Sequence, residues 1–152
     1  SSGELITVSS GEKKEIEIAL QSMFSVKDTF LLKRDYQYLL QRYVHHPEYH
    51  YDIYRFQGSY FIIKAADGKV CLMDYWGDLA AYPKKLDDFI HFLSSRYAGY
   101  ALHLWCLEDI STSFINPHKV VNTGAFFVCR RYSYNLPDVK HWWITMGDTE
   151  FL

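Results

Sequence analysis

Apolar residues at Tyr36, Leu39, Leu40 and Tyr43 stand at i, i+3, i+4 and i+7, the spacing of one face of an α-helix. Asp35, just ahead of them, has the short oxygen-bearing side chain of an N-cap. Pro47 forbids the helix from continuing, because it lacks an N–H and disfavours helical backbone at His46. Three strand-like runs follow, 51–56, 59–65 and 69–75. The connections between them are Gln57-Gly58 and Asp67-Gly68, two-residue hairpin signals, so the three runs are predicted to form an antiparallel meander.

Gly77 ends the third run, and Pro83 lies near the start of a helix predicted to reach Tyr97, with Leu86, Phe89, Ile90 and Leu93 as its inner stripe and Gly99 beyond its end. Residues 100–106 read as a strand. A helical crossover joins it to the third meander strand, which predicts a parallel pair. A short helix over 108–114 stops at Asn116-Pro117, and a strand over 125–132 pairs, through a loop with Asn135 and Pro137, with a last strand over 141–146. The first 32 residues give a weaker pattern. Leu5 to Val8 reads as a strand; 12–23 is rich in helix formers, yet Ile16, Ile18 and Leu20 alternate as in a strand, and a helix is the preferred reading. The expectation is an α+β fold with a mixed, mostly antiparallel central sheet of about six or seven strands and helices on both faces. Residues 1–32 form an N-terminal strand-and-helix segment of the same domain, and 33–152 its core.

Composition narrows the function classes. The chain has 152 residues, 49% of them hydrophobic, and a net charge of −2, which excludes a disordered chain and gives no basic excess for nucleic acid. No apolar run approaches the roughly 18 to 20 residues that span a bilayer. Cys71, Cys106 and Cys129 form no CxxC pair and sit in apolar runs, so they read as small core residues in a reducing compartment, and a soluble, cytoplasmic protein is expected. The unusual feature is 13 Tyr, 10 Phe and 4 Trp. Such rings either fill a sheet core or present surfaces that stack on sugars, bases or partner proteins.

Two segments concentrate chemistry. His45, His46 and His50 surround Glu48 where the helix hands over to the first meander strand. Their spacing does not match a zinc site, so no metal is expected; a histidine general base for deprotonating an ammonium is the better chemical reading of His46, against a plain helix-end role. Asp74 and Asp78 flank Tyr75-Trp76-Gly77 at the end of the third strand, the sheet edge where ligands settle in α/β proteins. There a carboxylate could orient an amine or bind sugar hydroxyls while Trp76 offers a stacking face. The alternative is a turn in which Asp caps, Gly77 bends and Trp76 fills the core. Ser111, Thr112 and Ser113 lack a Gly-x-Ser-x-Gly setting, and Arg130 and Arg131 point to opposite faces of a strand.

The order of elements, together with Arg42-Tyr43, His46-Pro47, Tyr49-His50-Tyr51, Met73-Asp74-Tyr75-Trp76-Gly77 and the closing Trp142-Trp143-Ile144-Thr145-Met146-Gly147-Asp148, resembles the GNAT superfamily of acyl-CoA N-acyltransferases. Within it, the chain over about 33–150 is similar to the second GNAT-like half of acetyltransferase-like proteins linked to bacterial surface polysaccharide synthesis. The resemblance implies acyl transfer from acetyl-CoA to an amino group of a small, sugar-linked acceptor. It implies acceptor-side roles for Arg42, His46, Tyr49, Tyr51, Asp74, Tyr75, Trp76 and Gly77, and draws in Asp148.

One departure matters. A GNAT domain cradles the cofactor pyrophosphate in an Arg/Gln-x-x-Gly-x-Gly/Ala loop, where converging amides and a helix N-terminus bind anions. Here the junction reads Trp76-Gly77-Asp78-Leu79-Ala80-Ala81-Tyr82-Pro83-Lys84-Lys85, with one glycine, an acidic residue and a proline; Lys84 and Lys85 could supply charge but no nest of amides. No cofactor is therefore expected on this chain alone. Acetyl-CoA would bind an N-terminal half of a longer protein, of which this chain, opening on Ser1 rather than Met, is expected to be the C-terminal part. The competing reading is a non-catalytic interaction or scaffold module binding a protein or a glycan. The two separate on whether Tyr49, Tyr51, Tyr75 and Trp76 converge on one concave pocket, or lie in the core or spread over a flat face.

Overall fold

The fold is seen in a computed structural model that describes residues 3–25, 30–31, 33–104, 142–143 and 145–146. It is α+β, and its centre is a five-stranded sheet in the order β1-β3-β4-β5-β6. The strands are β1 (Glu4–Ile6), β3 (Asp52–Phe56), β4 (Ser59–Ala66), β5 (Lys69–Trp76) and β6 (Ala101–His103). All neighbours are antiparallel except β5 and β6, which are parallel. The parallel pair is joined by α3 (Tyr82–Arg96), as a helical crossover requires. A separate two-stranded parallel pair joins β2 (Phe30–Leu31) to β7 (Trp142–Trp143).

The meander is set by its turns. Gln57 and Gly58 have φ of 50° and 74°, Asp67 and Gly68 of 53° and 72°. Two successive residues with positive φ make turns whose twist matches that of the strands they connect. Between β4 and β5 the register shifts: Ile62 faces Asp74, but Ile63 faces Leu72, leaving Met73 as the extra residue of a β-bulge.

The sheet is covered on both faces. Tyr54, Phe56 and Phe61 meet Phe89 and Phe92 of α3, with Phe61 stacked on Phe89 at 4.1 Å. On the other face lie Tyr60, Trp76 and Asp74, against α1 (Lys13–Ser22) and α2 (Tyr36–Leu39). Burying one large apolar side chain contributes about 1.5–3 kcal/mol, so these two layers hold the domain. Within α1, Ile16, Ala19 and Leu20 are buried and Ile18 is exposed. The helical spacing therefore prevails over the strand-like alternation because only one stripe meets the sheet. The segment joins the rest through β1, the sheet edge bonded to β3.

Asp35 caps α2, accepting from the Tyr38 amide at 2.8 Å. The helix then widens into a π turn, Leu40–Val44, with the His45 amide donating to the Leu40 carbonyl at 2.7 Å, and Pro47 follows. The sheet holds five strands among the described residues rather than six or seven. The predicted helix 108–114, the strand 125–132 and its pairing with the last strand lie outside the described residues. β7 does fall within the predicted last strand, but its described partner is β2. The sequence offered no strand at 30–31, because two residues carry no period.

Candidate functional site

The bulge at Met73 places Asp74 beside Trp76 on the α1–α2 face of the sheet. Asp74 Oδ2 accepts from Arg34 Nε at 2.9 Å and from the Tyr43 hydroxyl at 2.9 Å, and Oδ1 accepts from the Tyr75 backbone amide at 2.9 Å. The Arg34 and Asp74 side chains are 1% and 0% exposed. Arg34 Nη2 also donates to Thr145 Oγ1 at 3.3 Å, tying the segment after β7 to the cluster. The Tyr43 hydroxyl has its pKa pushed well above the phenol range, first by burial and then by the Asp74 charge. A carboxylate with three donors on it is well suited to stay put and poorly placed to receive an incoming amine.

From Tyr43 a ladder of rings runs outward. Tyr43 lies 5.9 Å from Trp76 and 5.2 Å from Tyr51; Tyr51 lies 5.7 Å from His46, and His46 5.1 Å from Tyr49. Arg42, on the π turn, donates to the Tyr51 hydroxyl at 3.2 Å and sits over the Tyr43 and Tyr51 rings. Burial works against its charge, but the bond to Tyr51 and the neighbouring phenols outweigh this and its pKa is raised. Lys64 of β4 places its ammonium 4.0 Å from the centre of the Tyr49 ring. His46 Nδ1 accepts from the backbone amides of Glu48 and Tyr49 at 3.2 and 3.1 Å. Tyr49 is 40% exposed and Tyr51 only 6%. His50 is surface-exposed and paired with Asp52 at 3.0 Å.

Tyr75 points to the opposite face, toward α3. Its hydroxyl donates to the Asp78 carbonyl at 2.8 Å and contacts Ser59 Oγ at 3.1 Å, and Lys85 Nζ donates to that same Oγ at 2.7 Å. Since the phenol proton goes to Asp78, the Ser59 proton goes to Tyr75: the string runs Lys85, Ser59, Tyr75, Asp78. Gly77 closes over it. A Cβ there would lie 2.7 Å from the Tyr75 hydroxyl and closer still to Ser59 Oγ, so the glycine is required by close approach. Asp78 accepts from the Ala80 amide at 3.0 Å, capping the short turn Leu79–Ala81 ahead of α3. Lys84 pairs with Asp88 at 3.8 Å.

The residues singled out in the sequence thus divide. Asp74, Tyr75 and Trp76 are core side chains at 1%, 1% and 0% exposure, and Asp74 and Tyr75 work on opposite faces of the sheet. Arg42, His46, Tyr49 and Tyr51 form one connected group. Asp148 lies outside the described residues, as do Cys106 and Cys129; Cys71 is half-buried on β5, and burial raises its thiol pKa. Arg34 and Tyr43 complete the Asp74 cluster; Tyr43 was read as part of a helix stripe and a motif but given no site role, and Arg34 was not singled out. The available signal was a lone arginine immediately before a capped helix, forty residues from its partner in sequence. The buried indole nitrogens of Trp76 and Trp143 have no hydrogen-bond partner among the described residues. Among those residues no group of three His, Cys, Asp or Glu could hold a metal ion, and no helix is long and apolar enough to cross a membrane. In comparisons with known proteins, no family model, curated protein or solved structure matches the chain.

Proposed function

We propose that this chain is a non-catalytic interaction module with a GNAT-like α+β fold, and that it binds a protein partner through the segment 44–50. The observation that carries the reading is the division of the four aromatic residues: Tyr51, Tyr75 and Trp76 are core, and only Tyr49 reaches solvent. Val44, His45, Pro47, Glu48 and His50 are exposed beside it. Tyr49 is held by His46 on one contact and Lys64 on another. A large ring fixed before binding loses little freedom on contact, which suits an interface anchor. A ring already in contact with a lysine and an imidazole offers little free face for a sugar, which favours a protein partner over a glycan. The test is site-specific photocrosslinking in the source cell, with the reactive residue at Glu48 or, as a control, at exposed Lys14 of α1. A discrete adduct at 48 that disappears with Tyr49→Ala is expected; equal labelling at both positions would discard the reading.

A second reading has its own support. The parallel β5–β6 pair across α3, with a bulge in β5 beside Asp74, agrees with the element order of an N-acetyltransferase half. In that reading the acyl donor, acetyl-CoA, binds another half of a longer protein, and Arg42, His46 and Tyr49 rather than Asp74, Tyr75 and Trp76 face the amino acceptor. Calorimetric titration of this chain with acetyl-CoA tests it: micromolar binding to the chain alone would contradict a cofactor site located elsewhere.

A further inference from the structure

His46 stands in an unusual chemical position: its Nδ1 is a hydrogen-bond acceptor for two backbone amides, those of residues i+2 and i+3, Glu48 at 3.2 Å and Tyr49 at 3.1 Å. This is the arrangement by which an Asn or Asp side chain caps a tight turn. An Asn oxygen keeps its lone pairs at every pH. An imidazole does not: once protonated, both ring nitrogens are donors, and Nδ1 can accept from neither amide. The lone pair on Nδ1 also fixes the ring proton of the neutral form on Nε2.

We infer that His46 is a protonation-sensitive cap on the turn 46–49, and that its protonation releases Glu48 and Tyr49 and so remodels the exposed segment 44–50. The role of that segment as an interaction surface rests on the reading proposed above; the switch itself does not. Imidazole is the side chain that changes charge between about pH 5 and 8. The charged and titratable groups around the ring are its neighbours His45, Glu48 and Tyr49 in the same turn, His50 beyond it, and Tyr51 just before β3. Behind these rings lie Arg42 and Tyr43 from the π turn and Lys64 from β4. No carboxylate is paired with His46 among the described contacts, so no ion pair already in place offsets the two lost backbone bonds; the nearest carboxylate in sequence, Glu48, belongs to the turn that protonation releases. The ring can remain against Tyr49, since a cation over a phenol is favourable; what changes is the backbone.

The test is amide hydrogen exchange by NMR on the protein, expressed as protection factors for Glu48 and Tyr49, alongside the His46 ring resonances. Protection of both amides is expected to fall about tenfold as pH is lowered, as befits the loss of hydrogen bonds of ordinary strength, with a midpoint matching that of His46 itself, while amides of β4 stay protected. In His46→Asn, where an amide oxygen replaces Nδ1, protection should persist through the same pH range. In His46→Ala it should be low throughout. Protection at 48 and 49 that shows no step at the His46 midpoint, or that steps equally in His46→Asn, would overturn the inference. Neither measurement requires a partner, so its failure is distinct from the failure of the crosslinking experiment.

Discussion

The ladder of contacts from Asp74 to Tyr49 starts at 1% exposure and ends at 40%, and its two ends use polar groups in opposite ways. At the inner end, Arg34, Tyr43 and a backbone amide all converge on Asp74. Taking such charges out of water is costly, and it succeeds only when each is partnered. At the outer end, Lys64 and His46 lean on the ring of Tyr49, where solvent keeps each interaction weak and replaceable. The inner cluster therefore specifies how the segment before α2, the π turn and the end of β5 meet. The outer group is where change is cheap, as a binding surface requires.

The largest effect should come from breaking the inner end. Asp74→Ala leaves the Arg34 guanidinium buried without its carboxylate, and a loss of about 3–5 kcal/mol is expected in urea unfolding. Replacing both partners, Arg34→Met with Asp74→Leu, should recover part of it, because the unpaired buried charge is gone while the Tyr43 hydroxyl and the Tyr75 amide still lose their acceptor. If the double variant is as unstable as the single, the cluster is held by something other than the charge pair.

Gly77→Ala comes next. The added methyl would be driven into Ser59 Oγ and the Tyr75 hydroxyl, and overpacking of this kind costs about 1–3 kcal/mol. Ser59→Ala in the same background removes the nearest clashing atom, leaving the Tyr75 hydroxyl and the residue-59 Cβ close to the methyl group, and should return part of that loss, read again from the unfolding midpoint. A fully additive pair of losses would show that the clash is relieved by backbone movement instead.

A smaller effect should follow from pH. Burial raises the phenol pKa of Tyr43 and Tyr75, and that of Tyr60 to about 12. A phenol whose folded pKa lies above its unfolded value near 10 contributes stability that is complete below about pH 10 and is lost as pH rises through the folded value. The unfolding midpoint should thus fall between about pH 10 and 12. Tyr43→Phe should flatten part of that fall, while a midpoint level up to pH 12 would contradict it.

The fold was legible where periodicity and turn chemistry agreed. Asp35, Pro47, the Gln57-Gly58 and Asp67-Gly68 turns and the α3 stripe each act within a few residues, and a local cause leaves a local pattern. The crossover to β6 was legible because strands joined by a helical connection lie parallel. What escaped was long-range. Arg34 meets Asp74 across forty residues, and nothing near either marks the other. The bulge at Met73, which sets the face Asp74 occupies, has no composition of its own. The aromatic motifs were visible, but a Tyr that fills a core and a Tyr that anchors an interface are spelled the same; only burial separates Tyr75 from Tyr49.

That separation gives the smallest predicted effect on stability. Tyr49→Ala removes a half-exposed ring whose partners are Lys64 and His46, both able to turn to solvent, so the unfolding free energy should change by about 0.5 kcal/mol or less. Tyr51→Ala, one rung inward at 6% exposure, also removes one hydrogen bond of Arg42 and opens a cavity beside Tyr43, and should cost about 3 kcal/mol or more. The two substitutions delete the same atoms two residues apart. If urea unfolding finds them equal, the ladder has no inner and outer end, and the case for Tyr49 as the part of it reserved for a partner is lost.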